Sequence, residues 1–377
     1  MNSESTTRVC WLPALPDEGW ASMDRYWAEL THCVNEGQHG HYSISSPAWL
    51  GAPPARSLRA PSLKRALWKR VLYPLGCHLE QADLFHLLDH SYAHLLPHLP
   101  KDVRIVATVF DLVPLEVSDG MSAAQVSRFR KGVEHLARAD HLISISEETK
   151  VKLNQLLGIP LDRVTVAVPG MDFARFQTPV SKDHPIHLKL ARLPPIIFSV
   201  GSTVSRKNLH SLPSIFAAMR EDFRAQRCCF VRAGERVSSS LRDDIIAVTG
   251  ESGFVELGPL FGDDLLAAFQ SARALIFPST LEGLTFVIPE AMAAGCPVVT
   301  NTMTANPEAG GDAALYYTEG DAEAAAVQLR SLLFDPISHQ RHQQLSVERA
   351  RSMTWTRHMQ TVLDVYSRVL QDSRVSS

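Results

Sequence analysis

Short apolar runs alternate with longer segments of helical periodicity along the whole chain, and this alternation limits the possible folds more than any other feature. Strands that alternate with amphipathic helices form βαβ units around a parallel sheet. In the first half the predicted strands are residues 9–12, 84–88, 104–110, 141–145 and 164–168, with helices near 23–34 and 123–138. In the second half they are residues 196–200, 228–231, 254–257, 274–277, 297–300 and 314–317.

Between the two halves, residues 177–195 are polar and contain four prolines, a composition typical of a linker. A chain of 377 residues is long enough for two domains. We therefore predict an α/β protein with one Rossmann-like domain at 1–178 and another at 196–354. The final amphipathic segment, 355–371, predicts one helix, which we expect to pack back on the first domain.

Bulk properties exclude several classes of protein. A formal net charge of −3 gives no general attraction to nucleic acid, so no nucleic-acid partner is expected. The six cysteines show no zinc-ligand spacing and predict buried thiols in a reducing compartment. The amino-terminal residues lack the apolar core of a signal peptide, and no apolar stretch is long enough to span a membrane. These observations predict a cytoplasmic protein.

The segment 274–300 carries the most chemical information. A predicted strand is followed by a loop with Glu282 and then by a helix that contains Glu290. Ligands of open parallel sheets bind beyond the carboxyl ends of the strands, where a helix N-terminus attracts anions. Gly283 permits close approach of a ligand to the backbone. The backbone amides predicted to donate hydrogen bonds to phosphate oxygens are those of Leu284, Thr285 and Phe286.

A second segment supplies positive charge. The predicted strand 196–200 ends at Gly201, and a short loop leads to Arg206 and Lys207. Two adjacent cations at the carboxyl end of a strand suit a diphosphate, since arginine binds phosphate through two donors and lysine acts as a point charge. In isolation, such cations are more often simply solvated, so the argument depends on their combination with Glu282.

The second domain resembles glycosyltransferase family 4, a retaining group with the GT-B fold. The resemblance rests on Glu282 and Glu290 at the Glu-x7-Glu spacing, on their flanking residues 277–299, and on the Val200-Gly201 and Arg206-Lys207-Asn208-Leu209 segments. It implies two Rossmann-like domains that face a central cleft. It also implies that Arg206 and Lys207 neutralise the diphosphate, Glu290 binds the donor ribose, and Glu282 contacts the transferred sugar.

The same resemblance implies the reaction and its partners. A sugar, by general similarity mannose, would pass from a nucleotide diphosphate sugar to a saccharide or lipid-linked acceptor in cell-surface polysaccharide or lipopolysaccharide synthesis. The anomeric configuration would be retained. No metal and no cofactor are expected, because fixed cations and helix dipoles replace a divalent ion.

One departure concerns the pair that follows the strand at 104–110. Many family members have His-Asp there, with the histidine near the donor sugar, whereas this chain has Phe110-Asp111. Asp111 or another residue of the first domain would then serve in its place. The alternative is a catalytically degenerate scaffold or nucleotide-sugar sensor. Another GT-B reaction, such as epimerisation or phosphorolysis, is disfavoured by the Glu-x7-Glu context, and a dehydrogenase by the lack of a GxGxxG loop.

Two further segments bear on the acceptor. Asp89, His90 and Ser91 follow a predicted strand, where they would orient an acceptor hydroxyl or act as base, or else only cap the loop. His86, His90, His94 and His98 recur every four residues, but the strand at 84–88 breaks the helical phase that a shared metal site would need. Residues 56–73 are basic with interleaved apolar residues, which predicts either a peripheral membrane contact at the inner face or a solvated surface helix.

Overall fold

The computed structural model describes residues 6–18, 21–51 and 66–371. The chain forms two compact units, one of residues 1–170 with 355–377 and the other of residues 171–354. Each unit is built on a six-stranded sheet in which all strand pairs are parallel. The predicted α/β class with two Rossmann-like domains is confirmed.

The amino-terminal sheet has the strand order β2-β1-β3-β4-β5-β6. Its strands are β1 Thr7–Leu12, β2 Tyr42–Ser45, β3 Leu84–Leu87, β4 Arg104–Val109, β5 His141–Ser144 and β6 Val164–Val166. The short edge strand β2 was not predicted, because its four residues alternate with serine and form no apolar run. The chain runs from β1 to one side and then returns to place β3 on the other side, so the strand order reverses between β1 and β3.

Helices of this unit begin and end at recognisable caps. Ser122 forms a capping box with Gln125, and the helix that Ser146 caps ends at Gly158 in the left-handed conformation. The predicted helix 123–138 is α-helical only to Val133 and continues as a 3-10 helix. The α-helices are Ala21–Asn35, Tyr73–Cys77, Val113–Glu116, Ala123–Val133, Glu147–Leu157 and Trp355–Gln371, with a π-helix at Trp68–Leu72 and 3-10 helices that include His90–His98 and Glu134–Arg138.

The carboxyl-terminal helix, Trp355–Gln371, belongs to this amino-terminal unit. Its buried face consists of Trp355, His358, Met359, Val362, Leu363, Val365, Tyr366 and Val369. The apolar members of this face recur at helical spacing, which is why the helix is amphipathic. The last segment of the chain therefore completes the domain in which the chain begins.

A buried chain of hydrogen bonds joins this helix to the sheet. His358 Nδ1 lies 3.1 Å from the carbonyl of Ala167, which can only accept, so a neutral His358 accepts at Nε2 from Tyr26 Oη, 2.9 Å away. The Tyr26 oxygen then accepts from Thr108, and Thr108 accepts from His86 Nε2 at 2.8 Å. The direction of each hydrogen bond in this series thus follows from the first one, at the Ala167 carbonyl.

The other half of this hydrogen-bond series, beyond His86, has equally definite directions. His86 Nδ1 accepts from Tyr366 Oη at 2.6 Å, and the Tyr366 oxygen accepts from the Trp11 indole at 2.8 Å. Burial lowers the pKa of His86 to about 3 and that of His358 to about 4. Both histidines are neutral in this network, because a second ring proton would face a donor.

The carboxyl-terminal sheet has the order β12-β11-β10-β7-β8-β9. Its strands are β7 Ile196–Gly201, β8 Cys229–Gly234, β9 Phe254–Gly258, β10 Ala274–Phe277, β11 Val298–Asn301 and β12 Leu315–Tyr317. Its α-helices are Phe173–Gln177, Pro185–Leu190, Leu212–Ala218, Arg220–Arg224, Ser239–Thr249, Gly262–Ser271, Val287–Ala293, Asn306–Gly310, Ala322–Phe334 and Pro336–Arg351. The strand order reverses between β7 and β10.

The predicted domain boundary requires correction. Residues 177–195 were interpreted as a linker, with the domains at 1–178 and 196–354, but the second unit begins at Met171. The helix Pro185–Leu190 buries Leu190, and the Gln177 side chain donates to the carbonyl of Ala293. The prolines were misleading because one of them starts a helix at its first position, where proline is well tolerated.

An exposed apolar surface lies on the amino-terminal unit. Leu67, Val71, Leu75 and Leu79 recur every four residues and are between 45% and 81% exposed. Within the basic segment 56–73, residues 56–65 lie outside the described part of the chain, and Lys69 pairs with Glu18 at 2.8 Å. No helix in the described part is both long and apolar enough to cross a membrane.

Candidate active site

A cluster of charged residues in the carboxyl-terminal unit lies where its strand order reverses. The loops after β7 and β10 leave the carboxyl ends of adjacent parallel strands. Such reversal points open a crevice, and ligands of open α/β sheets bind there. Arg206 and Lys207 lie on the first loop and Glu282 on the second, so residues 75 or more positions apart in sequence meet at this edge.

Glu282 binds both cations. Its Oε2 accepts from Arg206 at 2.8 Å, and its Oε1 accepts from Lys207 and from Ser279 Oγ, the latter at 2.6 Å. The Glu282 side chain is only 8% exposed, and those of Arg206 and Lys207 are 24% and 17% exposed. Two cations and one carboxylate are thus held together in a largely desolvated place, and the cations suit an anionic ligand such as a diphosphate.

Backbone and amide contacts hold the two loops together. The carbonyl of Arg206 accepts from the Thr280 amide at 2.9 Å and from Ser279 Oγ at 3.0 Å. Asn208, in the left-handed conformation with φ 51°, donates to the carbonyl of Pro278 and to Glu319. The loop with the cations is therefore fixed against the loop with the carboxylate before any ligand binds.

Glu290 lies on the helix Val287–Ala293, which directly follows the loop that carries Glu282, and its side chain is half-buried. Thr285 is buried, and its hydroxyl accepts from the amide of Val287, the first residue of the helix, at 3.2 Å. Gly283, Leu284 and Phe286 lie on the same loop, while Gly201 ends β7 with φ 138°. Their roles toward a nucleotide remain predictions.

The amino-terminal candidates lie at the carboxyl ends of β3 and β4. Phe110 is buried, with its ring packed edge-on against Tyr26, and its carbonyl accepts from Thr149 at 3.0 Å. Asp111 accepts from the amide of Val113, the first residue of the next short helix, at 3.1 Å. Asp89 accepts from the backbone and side chain of Ser91.

Sequence reasoning missed Arg232 on β8. Its buried guanidinium donates to the carbonyls of Ala233, Gly201, Ser202 and Glu235 at 3.0 to 3.3 Å, and burial lowers its pKa. It therefore joins the carboxyl ends of β7 and β8. The available signal was an arginine inside an otherwise apolar strand, since such a charge is rarely buried without partners.

Gly234, near which the sequence predicts the pocket for the nucleotide base, also lies at this edge. It adopts φ 101°, and a Cβ built there would collide with the carbonyl oxygen of Gly201. Only glycine allows the ends of β7 and β8 to approach so closely. At Gly234 the candidate site is therefore bordered by backbone, because a side chain has no room there.

Comparisons with known proteins agree with this architecture. Residues 24–175 match the family described as Glycosyltransferase Family 4, and residues 194–335 match the one described as Glycosyl transferases group 1. The two matches together cover most of both units. The chain belongs to glycosyltransferase family 4. It is a glycosyltransferase, as the relatives below also support.

Curated relatives of this glycosyltransferase are about a quarter identical to it over the aligned residues. The O-antigen chain mannosyltransferase B of Escherichia coli is 24% identical over 305 residues, which cover 79% of this chain and 78% of the relative. The D-inositol 3-phosphate glycosyltransferase of Nocardia farcinica is 27% identical over 279 residues, which cover 71% of this chain and 62% of the relative.

Among solved structures, Anabaena HepE in complex with UDP and glucose matches with a TM-score of 0.69 at 16% identity, covering 96% of this chain and 100% of that one. The sucrose-phosphate synthase of Thermosynechococcus elongatus matches with a TM-score of 0.69 at 17% identity, covering 97% of this chain and 100% of that one. At such identities the likeness establishes the fold, which is GT-B with two Rossmann-like domains.

Proposed function

We propose that this glycosyltransferase moves a hexose, mannose in the first instance, from a nucleotide diphosphate sugar to a saccharide or lipid-linked acceptor, with retention of anomeric configuration. The observation that carries the proposal is the Arg206–Lys207–Glu282 cluster at the strand reversal of the carboxyl-terminal sheet. Arg206 and Lys207 would bind the diphosphate and neutralise the charge that develops on it as the glycosidic bond breaks. Glu282 would meet the transferred sugar beside it.

The names of the relatives support the finer parts of this proposal. Two of the relatives named for mannosyl transfer act on O-antigen chains or are serotype-specific, which favours mannose and cell-surface polysaccharide. HepE was crystallised with UDP and glucose, which favours a nucleotide sugar donor here. Glu290, on the helix after the Glu282 loop, would bind the ribose, and the loop amides of residues 284–286 would hold phosphate or sugar oxygens.

The direct test is a panel of GDP-, UDP- and dTDP-sugars offered with octyl glycosides of mannose, glucose, galactose and N-acetylglucosamine. We expect one donor, first GDP-mannose, to yield a product heavier by one hexose in mass spectrometry. The anomeric proton of the product should show the same configuration as the donor by NMR. Tight nucleotide binding without turnover of any donor would instead support a degenerate sugar-nucleotide sensor.

The exposed apolar surface supports a lipid-linked acceptor. Leu67, Val71, Leu75 and Leu79 are exposed. In sequence, the first two belong to the stretch 56–73, which has six cations and no acid. Apolar side chains beside basic ones bind anionic bilayers by combining burial with charge attraction. We therefore propose that this surface contacts the membrane that carries the acceptor.

Leu79→Glu is expected to weaken binding to vesicles of phosphatidylglycerol and phosphatidylcholine about tenfold or more, since it removes apolar burial and adds a repelled charge. The matched control is Ile337→Glu on the other unit, because Ile337 and Leu79 are both 81% exposed. Vesicle co-sedimentation measures both variants. Equal binding of the two variants would exclude this surface as the membrane contact.

A further inference from the structure

A polar side chain with a fixed orientation lies near the point where the strand order of the amino-terminal sheet reverses. The order β2-β1-β3 places the reversal between β1 and β3, and β3 ends at Leu87. Three residues later comes His90, which is buried apart from a small edge of its ring. A ligand of this unit is expected beyond these strand ends, by the same rule that places the cations of the other unit.

Three contacts fix the His90 ring. Its Nδ1 accepts from the Phe110 amide at 3.3 Å, and its plane lies beside the Phe110 ring with centroids 6.4 Å apart. The Phe129 ring meets it edge-on at 5.9 Å. Asp89 caps the helix that begins at His90, which fixes the backbone as well. The imidazole therefore has one orientation before a ligand arrives.

The contact with Phe110 also decides which ring nitrogen carries the proton. Because Nδ1 accepts, neutral His90 is protonated at Nε2. Across residues 6–18, 21–51 and 66–371, Nε2 makes no hydrogen bond, and it is not among the side-chain atoms that are sealed from solvent without a partner. The exposed edge of the ring is thus an N–H donor directed at the outside.

The surroundings select the kind of ligand. Phe110 and Phe129 give the donor apolar walls, while the Asp89 carboxylate lies 3.6 Å from Nδ1 and disfavours an anion. An uncharged ligand with hydroxyl oxygens and apolar faces fits both features, and a saccharide has this chemistry. A phosphate group belongs instead with the cations of the other unit.

We propose that the Nε2–H of His90 donates a hydrogen bond to a hydroxyl of the saccharide acceptor. The inference rests on the proposed function, because it presumes sugar transfer. It also explains how the chain works with phenylalanine at position 110: the Phe110 amide and ring orient a histidine that approaches from the neighbouring strand.

Two substitutions separate the two nitrogens of the ring. His90→Asn places an amide oxygen near Nδ1, where it can still accept from Phe110, but leaves nothing at the position of Nε2. His90→Gln places an amide N–H near Nε2. We expect His90→Asn to raise the acceptor KM and lower kcat/KM for the acceptor about tenfold to a hundredfold, the effect of one lost hydrogen bond in a desolvated site. His90→Gln should lose less than about tenfold.

The assays use full-length protein with the donor and octyl glycoside established in the panel above. His98→Asn, on the same 3-10 segment but exposed, is the matched control and should behave as the wild type. The KM for the donor is measured in each variant, so that a loss at the acceptor is distinguished from a general loss of donor binding. Equal acceptor kinetics in His90→Asn and the wild type, or equal losses in His90→Asn and His90→Gln, would overturn the inference. A wild-type protein without any transfer would overturn the proposed function itself.

Discussion

Glu282→Gln is expected to lose sugar transfer by a factor of about 10² to 10³ while it still binds the nucleotide product. Glu282 pairs with both Arg206 and Lys207. Without its charge Glu282 no longer competes with a diphosphate for these two cations, and nucleotide affinity should stay equal or increase. The loss falls on the chemical step, where the carboxylate would meet the sugar.

Arg206→Ala is expected to weaken nucleotide binding, which Glu282→Gln leaves intact. It removes a charge-assisted donor from the diphosphate, so the Kd of the free nucleotide should rise about tenfold to a hundredfold, together with a fall in turnover. Calorimetric titration with GDP or UDP measures the affinity, and product formation measures transfer. The exposed Glu251→Gln on the same unit is the control for Glu282→Gln.

The two variants are informative as a pair. If Glu282→Gln weakens nucleotide binding as much as Arg206→Ala does, Glu282 acts only by holding the cations in place. If Glu282→Gln transfers sugar at the wild-type rate, Glu282 has no part in the reaction. Only the combination of intact binding and lost transfer supports contact between Glu282 and the sugar.

Many residues of this site could be predicted from the sequence, because they lie close in sequence to the strands that position them. Glu282 and the helix with Glu290 follow one strand directly, and Arg206 with Lys207 follow another. A parallel sheet brings the carboxyl ends of its strands to one edge, so both groups were expected there. The ion pairs themselves were not predictable, because they require β7 and β10 to be neighbours, and adjacency depends on packing over the whole sheet.

Residues that act through long-range contacts were harder to find. His90 was considered as one of three polar residues after a strand and as one of four evenly spaced histidines. Its distinction from Asp89 and Ser91 depends on the amide of Phe110, 20 positions away. Arg232 reaches the carbonyl of Gly201, 31 positions away. Propensity and periodicity describe neighbours along the chain, whereas these contacts are set by the register of paired strands.

The buried network beneath the carboxyl-terminal helix makes the stability of the amino-terminal unit dependent on pH. His86 and His358 have a pKa of about 3 and about 4 in the folded chain, against 6.5 for an unperturbed histidine. The unfolded state therefore binds more protons, and stability falls with falling pH. The contribution of both histidines is fully present above pH 6.5 and is lost progressively as pH approaches their folded values.

The measurement can be confined to one unit, because all six tryptophans belong to the amino-terminal unit at positions 11, 20, 27, 49, 68 and 355. Urea titrations followed by tryptophan fluorescence, at pH 7.5 and pH 5.0, report its free energy of unfolding. His358→Gln should be less stable than the wild type at pH 7.5, since it disrupts the bond to Tyr26. At pH 5.0 the difference should shrink by about 2 kcal/mol. The reason is that His358 takes up a proton at this pH in the unfolded wild type but not in the folded one, whereas glutamine does not titrate.

The comparison of wild type and variant removes the contribution of the titrating groups that do not interact with His358. His86 does interact with it and is therefore part of the difference. His141, whose pKa is lowered to about 4 mainly by burial, is present in both proteins and cancels from the difference. His98→Gln, at an exposed position, should keep the same stability relative to the wild type at both pH values. A difference for His358→Gln that does not change with pH would mean that His358 titrates normally in the folded chain. The network would then hold the helix by packing and not by the fixed direction of its hydrogen bonds.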